Sequence, residues 1–93
     1  MADMASIFRR KPAPHERLVT LIGKPDCHLC EDARVVVEKV CAELGVPWEE
    51  KDINQDKELH DEYWEQIPVV LVDGRQHTFW RVDEGRLRKE LTE

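Results

Sequence analysis

Arg17-Leu18-Val19-Thr20-Leu21-Ile22 is a short apolar run, rich in β-branched residues, that halts at Gly23 and Pro25 and gives way to a stretch with helical periodicity. Near-continuous apolar character between turn residues is how a buried parallel strand reads. From Leu29 onward, Ala33, Val36, Val37, Val40, Cys41 and Leu44 recur at helical spacing, and Gly45 and Pro47 supply the stop. The predicted helix starts near Asp26 to His28. Its valines are weak helix formers one by one, but the period outweighs propensity, which packing routinely overrides. Trp48-Glu49-Glu50-Lys51-Asp52-Ile53 then fits a charged edge strand. Strand, helix and strand in that order force a crossover, with the two strands parallel and the helix lying across them.

The rest of the chain adds a helix, a hairpin and a helix. Asn54 or a neighbour can cap a second helix running to about Gln66, with Leu59 and Tyr63 facing inward. Val69-Val70-Leu71-Val72, Asp73-Gly74 and Arg75 to Trp80 form a strong hairpin signal, because Asp-Gly supplies the positive φ angles of a two-residue turn. Asp83 can cap a last helix that turns Leu87 and Leu91 inward and carries Arg86, Arg88 and Lys89 towards its C-terminal end. The expected architecture is α/β, βαβ-α-ββ-α, with a mixed sheet. There is no internal repeat and no low-complexity segment.

A length of 93 residues bounds this to one domain. A chain of this size buries roughly 65% of its extended surface, enough to fold without cross-links. With 41% hydrophobic and 37% charged residues it reads as a soluble globular domain, and no run approaches the roughly 18 apolar residues of a membrane span. Lys plus Arg number 14 against 20 Asp plus Glu, a net charge of -6, which argues against nucleic acid as a partner, as the lack of a span argues against a membrane. The one basic cluster, Arg9-Arg10-Lys11, is followed by Pro12 and Pro14 and has no periodicity. Residues 1–16 are therefore expected to be a flexible basic tail, and residues 17–93 the folded domain. A secretory signal places basic residues before its apolar stretch, whereas here they follow Met4-Ala5-Ser6-Ile7-Phe8, so a cytoplasmic location is expected. A monomer is expected as well.

Three cysteines, Cys27, Cys30 and Cys41, are an odd number and too few for a disulfide scaffold, and a close pair in a reducing compartment points to redox or metal chemistry. Cys27-His28-Leu29-Cys30 falls where the first strand hands over to the first helix. Cys27 would then sit at the helix N-terminus, beside unpaired backbone N–H groups that favour a thiolate. Cys30, three residues along, lies on the same side and within reach of a disulfide with Cys27. Cys27 is expected to attack and Cys30 to resolve. Lys24 and His28 favour a negative sulfur where they lie close, and Asp26, Glu31 and Asp32 oppose it. Pro68 stands at the head of a strand, where its missing N–H is tolerated.

Lys24-Pro25-Asp26-Cys27-His28-Leu29-Cys30 after a first strand, with Ile67-Pro68-Val69 opening a hairpin, resembles a glutaredoxin-like protein of the thioredoxin superfamily over about Arg17 to Leu91. The resemblance implies a sheet of order 2-1-3-4 with three helices, a cis peptide at Pro68 lying against the sulfurs, and a substrate wall formed by Ile67 and Pro68. It implies thiol–disulfide oxidoreductase activity with no bound cofactor. A low-molecular-weight thiol, glutathione or an equivalent, or a reductase would return the electrons, and the substrate would be a disulfide-bearing protein or small thiol. Lys24 matches the lysine that in glutaredoxins meets a glutathione carboxylate, and Asp83 falls near the position that meets its amine end. With His28 these complete the implied thiol-binding set. The chain departs from the pattern in two places. Trp80-Arg81 replaces the usual Gly-Gly before the cap, with bulk that opposes close backbone approach, and His28-Leu29 replaces Pro-Tyr between the cysteines. Thioredoxin proper fits less well, since Leu21 stands where its buried aspartate would be.

Other readings compete with these. Structural zinc needs four ligands, and no second C-x-x-C or H-x-x-x-H accompanies Cys27 and Cys30, although His28, Cys41 and His60 are loose candidates. An iron–sulfur cluster shared between two chains is a further alternative. So is a non-catalytic interaction module using Trp64, Trp80 and the basic tail. Cys41 shares a helical face with Val37 and Leu44, as a buried structural thiol would. His60 and His77 have no evident partner and are expected in solvated positions.

Overall fold

The computed structural model describes residues 13–92, so the basic cluster at Arg9 to Lys11 lies outside the described residues. A 3₁₀ turn over Pro14–Glu16 leads into β1 (Val19–Gly23), α1 (His28–Leu44) and β2 (Trp48–Asp52). A second 3₁₀ turn (Ile53–Gln55), α2 (Lys57–Tyr63), β3 (Val69–Val72), β4 (Arg75–Phe79) and α3 (Glu84–Thr92) complete the fold. The four strands form one sheet in the order β2-β1-β3-β4. β1 pairs parallel with β2 and antiparallel with β3, and β3 pairs antiparallel with β4. This is the mixed α/β sheet expected, with order 2-1-3-4 and three helices.

The pleat sorts the core into two layers, since alternate strand residues face opposite sides of the sheet. Val19, Leu21, Val70 and Val72 face α1 and α3, where they meet Ala33, Val37, Val40, Cys41, Leu87 and Leu91. Ile22 and Val69 face the other way and pack with Ile53, Leu59, Tyr63, Ile67 and Leu71 beneath α2. The central strand β1 is buried along its whole length, which is why its sequence is almost uniformly apolar. β2 lies at the sheet edge and exposes its charges, and its Glu49 accepts a hydrogen bond from buried Thr20 (2.9 Å).

The hairpin turn is built as expected, with Asp73 at φ 54° and Gly74 at φ 84°. Asp73 also has a role that no local pattern announces. Its carboxylate accepts from Leu18 N–H (2.9 Å) and from Arg17 Nε (3.0 Å), so the β3–β4 turn clamps the entrance to β1. Arg17 reaches on to the carbonyl of Glu90 in α3 (2.9 Å).

Two elements differ from expectation. The second helix is short: residues 53–55 form the 3₁₀ turn, Asp56 rather than Asn54 caps α2 through Leu59 N–H (3.2 Å), and the helix ends at Tyr63. Tyr63 O then accepts from Gln66 and Ile67 N–H, turning the chain out before Pro68, because a residue preceding proline avoids the helical region. In the hairpin, the register shifts at Val70/Leu71, with Val70 opposite Thr78 and Leu71 opposite Gln76, so His77 is the extra residue of a β-bulge.

Candidate redox site

The cysteine pair is placed by the turn between β1 and α1. Pro25 and Asp26 make that turn, with Asp26 in the left-handed region (φ 58°) that aspartate tolerates better than most residues. Cys27 is the N-cap of α1: its backbone is extended, and its Sγ accepts from Cys30 N–H at 3.3 Å. A 17-residue helix directs its unpaired amides and positive dipole end at that sulfur. Cys27 is half-buried, while Cys30, one turn further in, is 1% exposed.

Cys30 is seated over Gly23, the last residue of β1. A β-carbon on Gly23 would lie 2.9 Å from Cys30 Sγ and 3.2 Å from its Cβ, closer than real side chains pack. The glycine read from sequence as the end of a strand is therefore the floor of the cysteine pair. A strand-ending glycine four residues before the first cysteine of a C-x-x-C is the signal that could have assigned it this role. Ile22 pairs with Val69, so extending the register by one residue sets Pro68 opposite Gly23, on the strand next to the cysteine floor. The Ile67–Pro68 peptide is cis and Pro68 is fully buried. Ile67 N–H is donated to Tyr63 O (3.1 Å).

The other expected binding residues do not converge on one cavity. Lys24 lies towards the β2 edge, with Pro25, Arg34, Glu50, Lys51 and Asp52 around a depression of about 370 Å³. His28 is exposed beside Asp26 and Glu31. Asp83 is on the opposite flank, where it caps α3 by accepting from Arg86 N–H (2.8 Å) and lines a 280 Å³ groove with Asp32 and Val36. A larger groove of about 630 Å³ runs beside it, lined by Leu29, Ile67, Phe79, Trp80 and Arg81 among others. Leu29, Trp80 and Arg81 belong to both grooves and form the wall between them. Trp80 and Arg81, which from sequence look like an obstruction to close backbone approach, thus line the grooves themselves, and Trp80 is also one of the residues that the interaction-module reading used.

His77 is not solvated as expected. The bulge carries it to the α3 side, where it is half-buried near Arg86 and Glu90, and burial pushes its pKa down. Cys41 is buried as expected (2% exposed), and burial pushes its thiol up to about 11. Among the described residues, no group of three or more His, Cys, Asp or Glu side chains is placed to hold a metal, and no helix is long and apolar enough to cross a membrane.

Burial, then the hydrogen bond with Cys27, pushes the Cys30 thiol up to about 11, against the pull of the Lys24 backbone and charge. The sign has a direct consequence for labelling. At pH 8 a thiol with a pKa of about 11 is ionised in roughly one molecule in a thousand, and only the thiolate reacts. Reduced native protein is expected to take one iodoacetamide, on Cys27, with Cys30 labelling about tenfold faster for each pH unit up to its pKa. Peptide mapping after timed labelling checks this, and equal rates at Cys27 and Cys30 at pH 8 would overturn the raised Cys30 value.

A thioredoxin-like sheet with a C-x-x-C pair capping the first helix beside a cis-proline strand defines a thioredoxin-superfamily domain. Comparison with known proteins agrees with this and narrows it. The chain belongs to the glutaredoxin-like domain family, whose sequence profile it matches over residues 18–92. It is 32% identical over 78 residues to an uncharacterized protein of Mycobacterium tuberculosis, covering 78% of this chain and 80% of that one. Among solved structures it is similar to protein XcR50 from X. campestris (TM-score 0.65, 32% identity, 78% of this chain and 93% of that one). The fold is also that of Fasciola hepatica thioredoxin (TM-score 0.62, 21% identity, 98% and 90% covered).

Proposed function

We propose that this protein is a thiol–disulfide oxidoreductase that reduces disulfides through Cys27 and Cys30. The observation that carries the reading is the division of the pair: a half-buried sulfur capping a helix N-terminus next to the buried Cys30 thiol, seated over Gly23 and pushed up by burial to about 11. Cys27 thiolate attacks one sulfur of a substrate disulfide. A Cys27–substrate S–S bond forms, the substrate S–S bond breaks, and the departing thiolate takes a proton. Cys30 then loses its proton to the second leaving thiolate as it attacks Cys27 Sγ. The protein ends with a Cys27–Cys30 disulfide and the substrate with two thiols, a transfer of two electrons and two protons. Ile67 and Pro68 wall the mixed disulfide. Two molecules of a low-molecular-weight thiol such as glutathione, or a dithiol reductase, return the two electrons.

An intact-mass titration of the purified protein across a thiol/disulfide buffer, with peptide mapping, tests this. The expected result is a Cys27–Cys30 disulfide, or an adduct on Cys27 that resolves to it, at a defined midpoint with Cys41 reduced throughout. Three thiols that stay reduced over the whole range would overturn the reading.

A further inference from the structure

The 630 Å³ groove is reached from the cysteine pair through Leu29, between the two cysteines in sequence, and from the proline strand through Ile67. Its apolar lining, Leu29 and Ile67 with Phe79 and Trp80, is unusually open to solvent, Trp80 being 54% and Phe79 45% exposed. The two rings meet edge to face with centroids 5.0 Å apart. Trp80 is held there against its backbone preference: its φ of 65° lies in the left-handed region, which a bulky side chain rarely adopts. Three hydrogen bonds pin it, from its N–H to Pro68 O (2.8 Å) and Gln66 O (3.2 Å), and from its indole Nε1 to Glu65 O (3.0 Å). The indole is a fixed platform whose position is tied to the cis-proline itself.

Arg81 and Arg86 stand in the same groove. Arg17, Arg34 and Arg88 are ion-paired, whereas neither Arg81 nor Arg86 has a carboxylate within pairing distance among the described residues, in a chain with 20 acidic residues. The floor adds Thr78, only 7% exposed, whose Oγ1 has no hydrogen-bond partner among the described residues; the same holds for His77 Nε2.

We propose that this groove binds the polypeptide flanking the substrate disulfide and selects a segment with an aromatic or large apolar side chain next to an acidic one. The inference rests on the oxidoreductase reading and names its substrate class. The apolar side chain lies on Trp80 and Phe79, and the carboxylate meets the guanidinium groups of Arg81 and Arg86, a charge-assisted contact. Electrons and protons move as described above, and the groove itself makes and breaks no covalent bond. Glutathione carries charge at both ends and no large apolar side chain, so it fits the arginines but leaves the platform uncovered. The net charge of -6 opposes an acidic partner at long range, so selection operates at contact distance.

The test uses the full-length reduced protein and short peptides whose single cysteine is disulfide-linked to a small neutral thiol. One peptide flanks the cysteine with phenylalanine and glutamate, a second with phenylalanine and lysine, a third with glycine and glutamate. A glutathione mixed disulfide and an uncharged small disulfide complete the set. The phenylalanine–glutamate peptide is expected to show a kcat/KM about tenfold above each of the other two peptides, as one charge-assisted contact or one buried aromatic side chain would give. The preference for glutamate should disappear in Arg81→Glu/Arg86→Glu, and the preference for phenylalanine in Trp80→Gly, where glycine adopts the left-handed backbone without strain. Equal rates for the three peptides, or faster turnover of the glutathione mixed disulfide, would overturn the inference. Reduction of the uncharged disulfide alone reports the oxidoreductase reading, so its absence is a failure of that reading and not of this one. A calorimetric titration with the phenylalanine–glutamate peptide carrying serine for cysteine decides the binding question without redox chemistry. It should bind about tenfold more weakly to Trp80→Gly, and equal binding would also overturn the inference.

Discussion

Cys27→Ser is expected to lower kcat/KM for disulfide reduction by about a thousandfold or more, a loss on the order of 4 kcal/mol of transition-state stabilisation. The loss would be chemical and not structural. Serine is among the best N-cap residues, so its hydroxyl can take over the acceptor role that Cys27 Sγ plays towards Cys30 N–H, and α1 should start as before. Cys30→Ser should behave differently. Its hydroxyl is smaller than the thiol above Gly23 and can still donate to Cys27 Sγ, so the first attack proceeds while the mixed disulfide has no resolving sulfur. Incubating each variant with a disulfide substrate and measuring intact mass separates the two: an adduct on Cys27 accumulates in Cys30→Ser and none forms in Cys27→Ser. Equal residual activity in the two variants would reverse or cancel the roles assigned to them.

The second large effect is expected at Gly23. A methyl group there would sit 2.9 Å from Cys30 Sγ, and β1 cannot step aside because Gly23 is paired with Asp52 on β2 and Ile22 with Val69 on β3. Overpacking of this kind costs roughly 1–3 kcal/mol, and Gly23→Ala should lose that much stability in urea unfolding of the reduced protein. The same displacement moves the resolving sulfur, so the mixed disulfide should persist in Gly23→Ala as it does in Cys30→Ser. Cys30→Ala removes the atom in the way. Gly23→Ala/Cys30→Ala should therefore be more stable than the sum of the single variants implies, a coupling that a double-mutant cycle measures. Additive effects would mean that Gly23 and Cys30 do not crowd each other.

The parts of the fold that were legible in sequence are those where one local pattern states one structural fact. The β1 run, the helical repeat from Leu29 to Leu44, the Asp73-Gly74 turn and the Asp83 cap each carry their own physical reason, and the structure places each of them as read. The less legible features depend on residues far apart in the chain. Nothing near His77 announces a bulge, because the register shift is a property of the β3–β4 pair and not of either strand. The clamp of Asp73 on Arg17 joins residues 56 positions apart. Trp80 is harder still. Its left-handed backbone is held by carbonyls of Gln66 and Pro68, so the residue that looked like a replacement for glycine occupies a glycine-like conformation. In the same way Lys24 and Asp83, both read as binding residues, fall on opposite flanks of the cysteine pair, a separation that depends on the sheet order.

The Arg17 clamp decides how the domain can be attached to other things. One side chain gathers the start of β1, the tip of the β3–β4 hairpin and the last turns of α3, all at the end of the sheet away from Gly23 and Cys30. The entry to β1 and the last turns of α3 therefore share one pole of the domain, opposite the cysteine pair. A partner or a surface that holds the domain by that pole leaves the face bearing Cys27 pointing outward.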